Sequence, residues 1–201
     1  LLDNADHWLA NEILMFWKRV LKRIDMTSRS MIALVEHGSC YAGVLAEILW
    51  AVDRSYMMED AFDGDNRPLA AIHLSGGNFG RYPMGNDLTR LETRFLGNEG
   101  HPDRLKGQIG EALEAGEAQD LGLVTEIFDD IDWEDEIRIM LEERASFSPD
   151  AMTGMEANLR FAGPETMETR IVGRLTAWQN WIFNRPNAVG EEGALQRYGS
   201  G

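Results

Sequence analysis

The stretch SMIALVEHGSCYAGVLAEILWAVDRSYMM, Ser30 to Met58, decides the fold. It opens on an apolar run, Met31–Val35, that reads as a strand. A turn of small residues follows at His37–Ser39. The next segment, from about Tyr41 to Val52, reads as an apolar helix, and Arg54–Met58 reads as a second strand. Strand, helix, strand in this order predicts parallel pairing through a right-handed crossover. One residue breaks the pattern. Glu47 is the only charged side chain inside the expected helix. Its helical neighbours Gly43, Val44, Trp50 and Ala51 carry no counter-charge. A carboxylate in such surroundings costs several kcal/mol unless it is paired, wetted or shifted in pKa. Two readings stay open. Glu47 acts as an acid or base at a reactive site, where shifted carboxylates gather. Alternatively it is a buried structural group, capped by backbone or paired with an arginine from elsewhere in the fold.

The turn before Glu47 contains Gly38, Ser39, Ala42 and Gly43, which permit close approach of a ligand to the backbone. The first N–H groups of a helix have no internal acceptor and can polarise a carbonyl oxygen. The N–H of Val44 is the preferred donor, with Gly43 allowing the approach. Glu47 then follows about one helical turn later.

Outward from this unit, Asp6–Asp25 reads as an amphipathic helix with Ile13, Trp17, Val20, Leu21 and Ile24 on one face. Glu59–Pro68 is an acidic loop. Leu69–Leu74 is a further strand, and Ser75–Asn86 a long structured loop. Helices are expected over Asp87–Leu96, Asp103–Ile109 and Glu111–Leu121, with a strand ending near Phe128. Asp132 and Ser148 read as helix caps, the second followed by Pro149. A last long helix starts at Gly163-Pro164, carries Met167, Ile171, Leu175, Trp178 and Ile182, and ends at Arg185-Pro186. The division expected is an α/β core over 1–128 and a helical region of the same domain over 129–201.

The chain has 201 residues, 44% of them hydrophobic, and a formal charge of −15. This excludes general nucleic-acid binding, which requires a basic surface. No apolar run reaches the roughly 20 residues of a membrane span. The single Cys40 excludes an internal disulfide and fits a cytoplasmic setting. It is expected to be a buried, inert thiol. The four histidines, His7, His37, His73 and His101, show no metal-ligand spacing. No initiator methionine precedes Leu1, so the start is expected to be a cut in a longer polypeptide. The tail Tyr198-Gly199-Ser200-Gly201 is expected to be flexible.

The residues of Ile32–Tyr56 resemble the oxyanion strand–turn–helix of the crotonase (enoyl-CoA hydratase/isomerase) superfamily. That pattern has a glutamate, here Glu47, and an aspartate six residues later, here Asp53. Gly80, Pro83 and Thr89-Arg90-Leu91 resemble the family's loop and following helix, and Glu111–Phe128 its alanine-rich helix leading to Gly-Leu-Val. The resemblance implies a partial ClpP/crotonase fold and an acyl-CoA substrate. The segment Met152–Gly199 and the loop NFGRYPM resemble a ring-cleaving branch of the superfamily. This closer resemblance implies hydrolytic C–C scission of epoxidised dihydrobenzoyl-CoA, giving an open-chain semialdehyde thioester and formate, in aerobic benzoate breakdown. It implies no metal or redox cofactor, CoA being part of the substrate. It also implies a homo-oligomer, a dimer, and a longer chain with two crotonase-like halves, of which this is the later. Two other readings stand beside it: a catalytically silent structural half, and a generic enoyl-CoA hydratase or isomerase. Family members with two carboxylates place the second at the position of Gly76. A glycine side chain cannot transfer a proton.

Overall fold

In a computed structural model, which describes residues 1–198, three short parallel strands form the centre. β1 (Ile32–Val35) pairs with β3 (Arg54–Met58), and β3 with β5 (Glu126–Phe128), in the order β1–β3–β5. The expected strand–helix–strand unit is therefore present with parallel pairing. Side-chain alternation sends the two sets of residues to opposite faces. Ala33, Val35 and Met57 face the main core with Leu49, Ile72, Leu91, Leu105, Leu113 and Leu123. Tyr56 and Met58 face the other way, onto Trp133, with Ile32, Leu34 and Phe128 beside them. Both faces are thus covered, as parallel sheets require.

The middle of the unit departs from the expected single helix over Tyr41–Val52. Tyr41–Ala42 is a strand, β2, pairing in parallel with β4 (Ile72–His73). Gly43 then adopts a left-handed backbone, φ +54°, where a residue with a Cβ is strained. A single 3₁₀ turn, Gly43–Leu45, leads into a short helix, α2 (Glu47–Ala51). Glu47 is therefore the first residue of that helix, not a residue of its middle.

The long helix α1 (Trp8–Asp25) lies close to its expected limits, with His7 accepting a hydrogen bond from the Leu9 N–H at its start. Its stripe centres on Leu14 and Leu21, which pack with Tyr82, Val44 and Ile48. Elsewhere tertiary pairing shortens the elements expected from periodicity. Leu69–Leu74 keeps only Ile72–His73 in ladder form, because Ile72 and Leu74 also bridge Leu113 and Ile109. The helix expected over Asp103–Ile109 is α4 (His101–Leu105) with a 3₁₀ turn after it, and the use of Leu113 moves the start of the next helix, α5 (Ala115–Asp120), to Ala115. The helix expected over Asp87–Leu96 is only α3 (Arg90–Arg94). It begins at a capping box of Thr89 and Glu92, after Asp87 has turned with φ +64°.

The C-terminal region is helical, as expected. α6 (Trp133–Ser146) covers the second face of the sheet, and α7 (Pro149–Leu159) follows Ser148. The last long helix starts three residues later than Gly163-Pro164, at the cap Thr166. It runs Met167–Ile182 with a π-turn at Ile171–Leu175, and Pro186 opens a further short helix rather than only closing this one. Its apolar stripe lies largely at the surface: Met167, Ile171 and Leu175 are exposed. Trp178 and Trp181 pack edge to face at 5.4 Å. Of the expected flexible tail, residues 199–201 lie outside those described.

Candidate functional site

Glu47 is 1% exposed. Its position just after the 3₁₀ turn Gly43–Leu45 places its carboxylate against two long-range partners. Asn78 Nδ2 donates to Glu47 Oε1 at 2.7 Å, and Arg90 Nη1 donates to Oε2 at 2.9 Å. Arg90 is itself fully buried. It makes a two-pronged pair with Asp25 at the end of α1, Nε to Oδ1 at 2.9 Å and Nη2 to Oδ2 at 2.6 Å. Its Nη1 also donates to the Tyr82 carbonyl at 2.9 Å. Two acids thus share one guanidinium in the interior. Burial pushes the Glu47 carboxyl above its ordinary range, against the Asn78 hydrogen bond and the Arg90 charge. Burial does the same to Asp25, again against Arg90. Each carboxylate nevertheless accepts hydrogen bonds on both oxygens, the arrangement an ionised carboxylate takes. The arginine comes from elsewhere in the fold, as the structural reading of Glu47 requires.

Gly43 and Val44 sit directly before this cluster. The Gly43 carbonyl accepts the Ala46 N–H at 3.1 Å and Asn78 Nδ2 at 2.9 Å. A Cβ on Gly43 would stand 3.4 Å from Ser75 Oγ. Ser75 and Asn78 form a capping box around the 3₁₀ turn Gly76–Phe79: the Ser75 N–H donates to Asn78 Oδ1 at 2.8 Å. Gly76 is exposed, and among the described residues nothing lies within 4 Å of where a Cβ on it would stand. Gly43 and Val44 thus lie in the 3₁₀ turn, and Glu47 opens the helix that follows it.

Asp53 serves the frame. Its Oδ2 accepts the Met31 N–H at 2.6 Å, joining the starts of β1 and β3. Its Oδ1 meets Arg160 Nη2 at 3.2 Å, and Arg160 Nη1 donates to the Ala51 carbonyl at 2.7 Å. Nearby, Glu156 on α7 accepts from Ser30 Oγ at 2.9 Å and from Arg144 Nη2 at 2.6 Å. Asp53, Arg144, Glu156 and Arg160 line a cavity of about 440 Å³ with Trp50, Met84 and Phe161.

The weaker candidates lie apart. Cys40 is exposed, contrary to the expected buried thiol, because the turn ahead of β2 carries it to the surface. His37 is buried, and among the described residues neither of its ring nitrogens has a hydrogen-bond partner. His101 Nε2 contacts the Leu121 carbonyl at 3.0 Å, and His73 lies in β4. Reasoning from sequence missed Asn78, Arg90 and Asp25 as members of the Glu47 cluster. A signal for Asn78 existed in its spacing three residues after Ser75, a capping pattern. No local signal joins Arg90 or Asp25 to Glu47.

No family model matches the chain. It is similar to the benzoyl-CoA-dihydrodiol lyase of Aromatoleum evansii, 55% identical over 198 residues. That alignment covers 98% of this chain and 35% of the lyase, so the chain spans about a third of the relative's length. Among solved structures it is similar to an enoyl-CoA hydratase of Geobacillus kaustophilus, with a TM-score of 0.71 and 18% identity over 98% of this chain and 68% of that one. An enoyl-CoA hydratase/isomerase of Cupriavidus metallidurans gives a TM-score of 0.66 and 18% identity, covering 99% and 69%. The chain thus carries a partial crotonase fold, and over nearly its whole length it is related to a third of a benzoyl-CoA-dihydrodiol lyase.

Proposed function

We propose that this chain is part of a carbon–carbon lyase that opens the ring of a dearomatised benzoyl-CoA thioester by hydrolysis. The products are an open-chain semialdehyde thioester and formate. The observation that carries this reading is the 55% identity over 98% of the chain to a lyase with that substrate class in its name. Breaking a ring bond hydrolytically places negative charge next to the thioester, and N–H donors aimed at its oxygen stabilise that charge. The Val44 N–H is the donor assigned here, with Gly43 giving the close approach. No metal or redox centre takes part in this reading. The whole protein is read as a cytoplasmic homo-oligomer, a dimer.

For Glu47 the geometry favours a supporting role over proton transfer. Both of its oxygens are engaged by Asn78 and Arg90, and Gly76 offers no second carboxylate. This supports the reading of the segment as the part of the lyase that holds a thioester oxygen and shapes the site. The acid and base are then assigned to the remainder of the protein.

The test is turnover by the full-length protein. Supplied with the epoxide of dihydrobenzoyl-CoA, it is expected to release one formate per thioester consumed. Hydration of crotonyl-CoA with no formate from the ring substrate would instead establish the generic hydratase reading. In the same assay Glu47→Gln, which disturbs the support of Asn78 without removing a proton-transfer group, is expected to lower turnover of the folded protein by about tenfold at most. A fully folded variant with turnover down by a hundredfold or more, the scale of a lost acid or base, would return Glu47 to proton transfer.

A further inference from the structure

The peptide unit joining Gly43 to Val44 carries both a pinned carbonyl and the assigned oxyanion donor. In a planar trans peptide the C=O and the N–H point in opposite directions. Fixing the Gly43 carbonyl therefore fixes where the Val44 N–H is aimed. The 3₁₀ turn supplies one anchor, the Ala46 N–H at 3.1 Å. The second anchor is a side chain, Asn78 Nδ2 at 2.9 Å, reaching from the loop after β4.

Asn78 is 1% exposed, and its orientation is dictated by its neighbours. Its two Nδ2 hydrogens face two acceptors, the Gly43 carbonyl and Glu47 Oε1. Its Oδ1 faces the Ser75 N–H. Turning the amide over would set a carbonyl oxygen against two oxygens and an NH₂ against an N–H. The next partners continue the chain of restraint: Glu47 is held by Arg90, and Arg90 by Asp25 and the Tyr82 carbonyl.

The geometry points to Asn78 as a positioning residue for catalysis, holding the Gly43–Val44 peptide so that the Val44 N–H meets the thioester oxygen. The buried Asp25–Arg90–Glu47 array serves as its mount. This assignment rests on the reading of Val44 as an oxyanion donor. It goes beyond that reading by naming the group that aims the donor and by giving Glu47 a part in the reaction without proton transfer. Asn78 acts through the backbone and does not touch the substrate.

The experiment uses the full-length protein labelled with ¹⁵N-valine, the Val44 resonance being located by its loss in Val44→Ile, with benzoyl-CoA as the probe. In the parent protein benzoyl-CoA is expected to move the Val44 amide proton downfield, and the thioester carbonyl stretch of the bound probe to fall below its value in solution. Asn78→Asp keeps the shape and removes the donors. It is expected to abolish the Val44 shift and to return the carbonyl stretch toward its solution value. Ring-opening kcat is expected to fall about tenfold to a hundredfold, with KM changed little. Asn78→Ser, which introduces no charge, replaces it if the aspartate variant does not fold. A Val44 shift in the parent that persists in a folded Asn78 variant would overturn the positioning role and leave the oxyanion reading standing. No Val44 shift in the parent would overturn the oxyanion reading, and the positioning role with it.

Discussion

Arg90 is the residue on which the interior electrostatics turn. Its guanidinium neutralises one of two buried carboxylates and hydrogen-bonds both. Taking three charges out of water is costly, and hydrogen-bonded pairing offsets that cost only while every partner is present. Arg90→Met leaves Asp25 and Glu47 buried without a cation. It is expected to destabilise the protein by roughly 3 to 5 kcal/mol, measured as a fall in the urea midpoint. A loss below about 1 kcal/mol would show that water reaches the site in solution. At this scale the sequence was half legible. Glu47 stood out because a charge in an apolar run must be accounted for, and an arginine partner was one of two accounts. Which arginine could not be read. Arg90 lies 43 positions away, and Asp25 a further 65 from Arg90 in the other direction. Neither separation leaves a periodic trace.

At the scale of elements, the joint between α7 and the sheet is ionic. Ser30, Arg144, Arg160 and Asp53 all face Glu156. Burial, and then the adjoining Asp53 carboxylate, push the Glu156 carboxyl from its ordinary 4.5 up to about 7. The folded state therefore holds this proton more tightly than the unfolded chain does. Its contribution to stability is complete below about pH 4.5 and is lost as the pH rises to about 7. Melting temperature measured across that window is expected to fall in the parent and to fall less in Glu156→Gln, which mimics the protonated form. Equal slopes in the two proteins would remove Glu156 from the pH dependence. The raised Asp25 and Glu47 carboxyls act in the same direction and remain in the variant. Elements with strong local signals kept their places: α1 lies close to its expected limits and packs through Trp17, Leu21 and Ile24 of its expected stripe, with Leu14 in place of Ile13 and Val20, and Arg54–Met58 matches its expected limits. The Tyr41–Val52 segment did not. Its first residues, Tyr41–Ala42, form a ladder with Ile72–His73, and that partner is far away along the chain.

For the whole molecule, the exposed apolar face of the last long helix is the main feature left uncovered. Met167 is 69% exposed and Val172 74%, with Ile171, Leu175 and Phe183 also at the surface. Apolar surface of this kind marks contact with another part of the protein or another copy. On the dimer reading, Val172→Asp in the full-length protein is expected to shift sedimentation from dimer toward monomer. An unchanged dimer would place the interface elsewhere. Among the described residues no helix is long and apolar enough to cross a membrane. The stripe of Met167, Ile171 and Leu175 was visible in the sequence, but periodicity shows only that a face is apolar. Whether a core or a partner covers it is a matter of what lies opposite.

The parallel strand–helix–strand unit and the helical C-terminal region were legible in the amino-acid sequence alone. Each of these rests on local patterns: apolar alternation, small residues in a turn, proline and serine at helix starts. Only the tertiary structure decided what Glu47 touches. Its partners Asn78 and Arg90, and through Arg90 the carboxylate of Asp25, come from three separate segments. A buried charge is satisfied by whatever donor packing brings within about 3 Å, and packing obeys distance in space rather than distance along the chain.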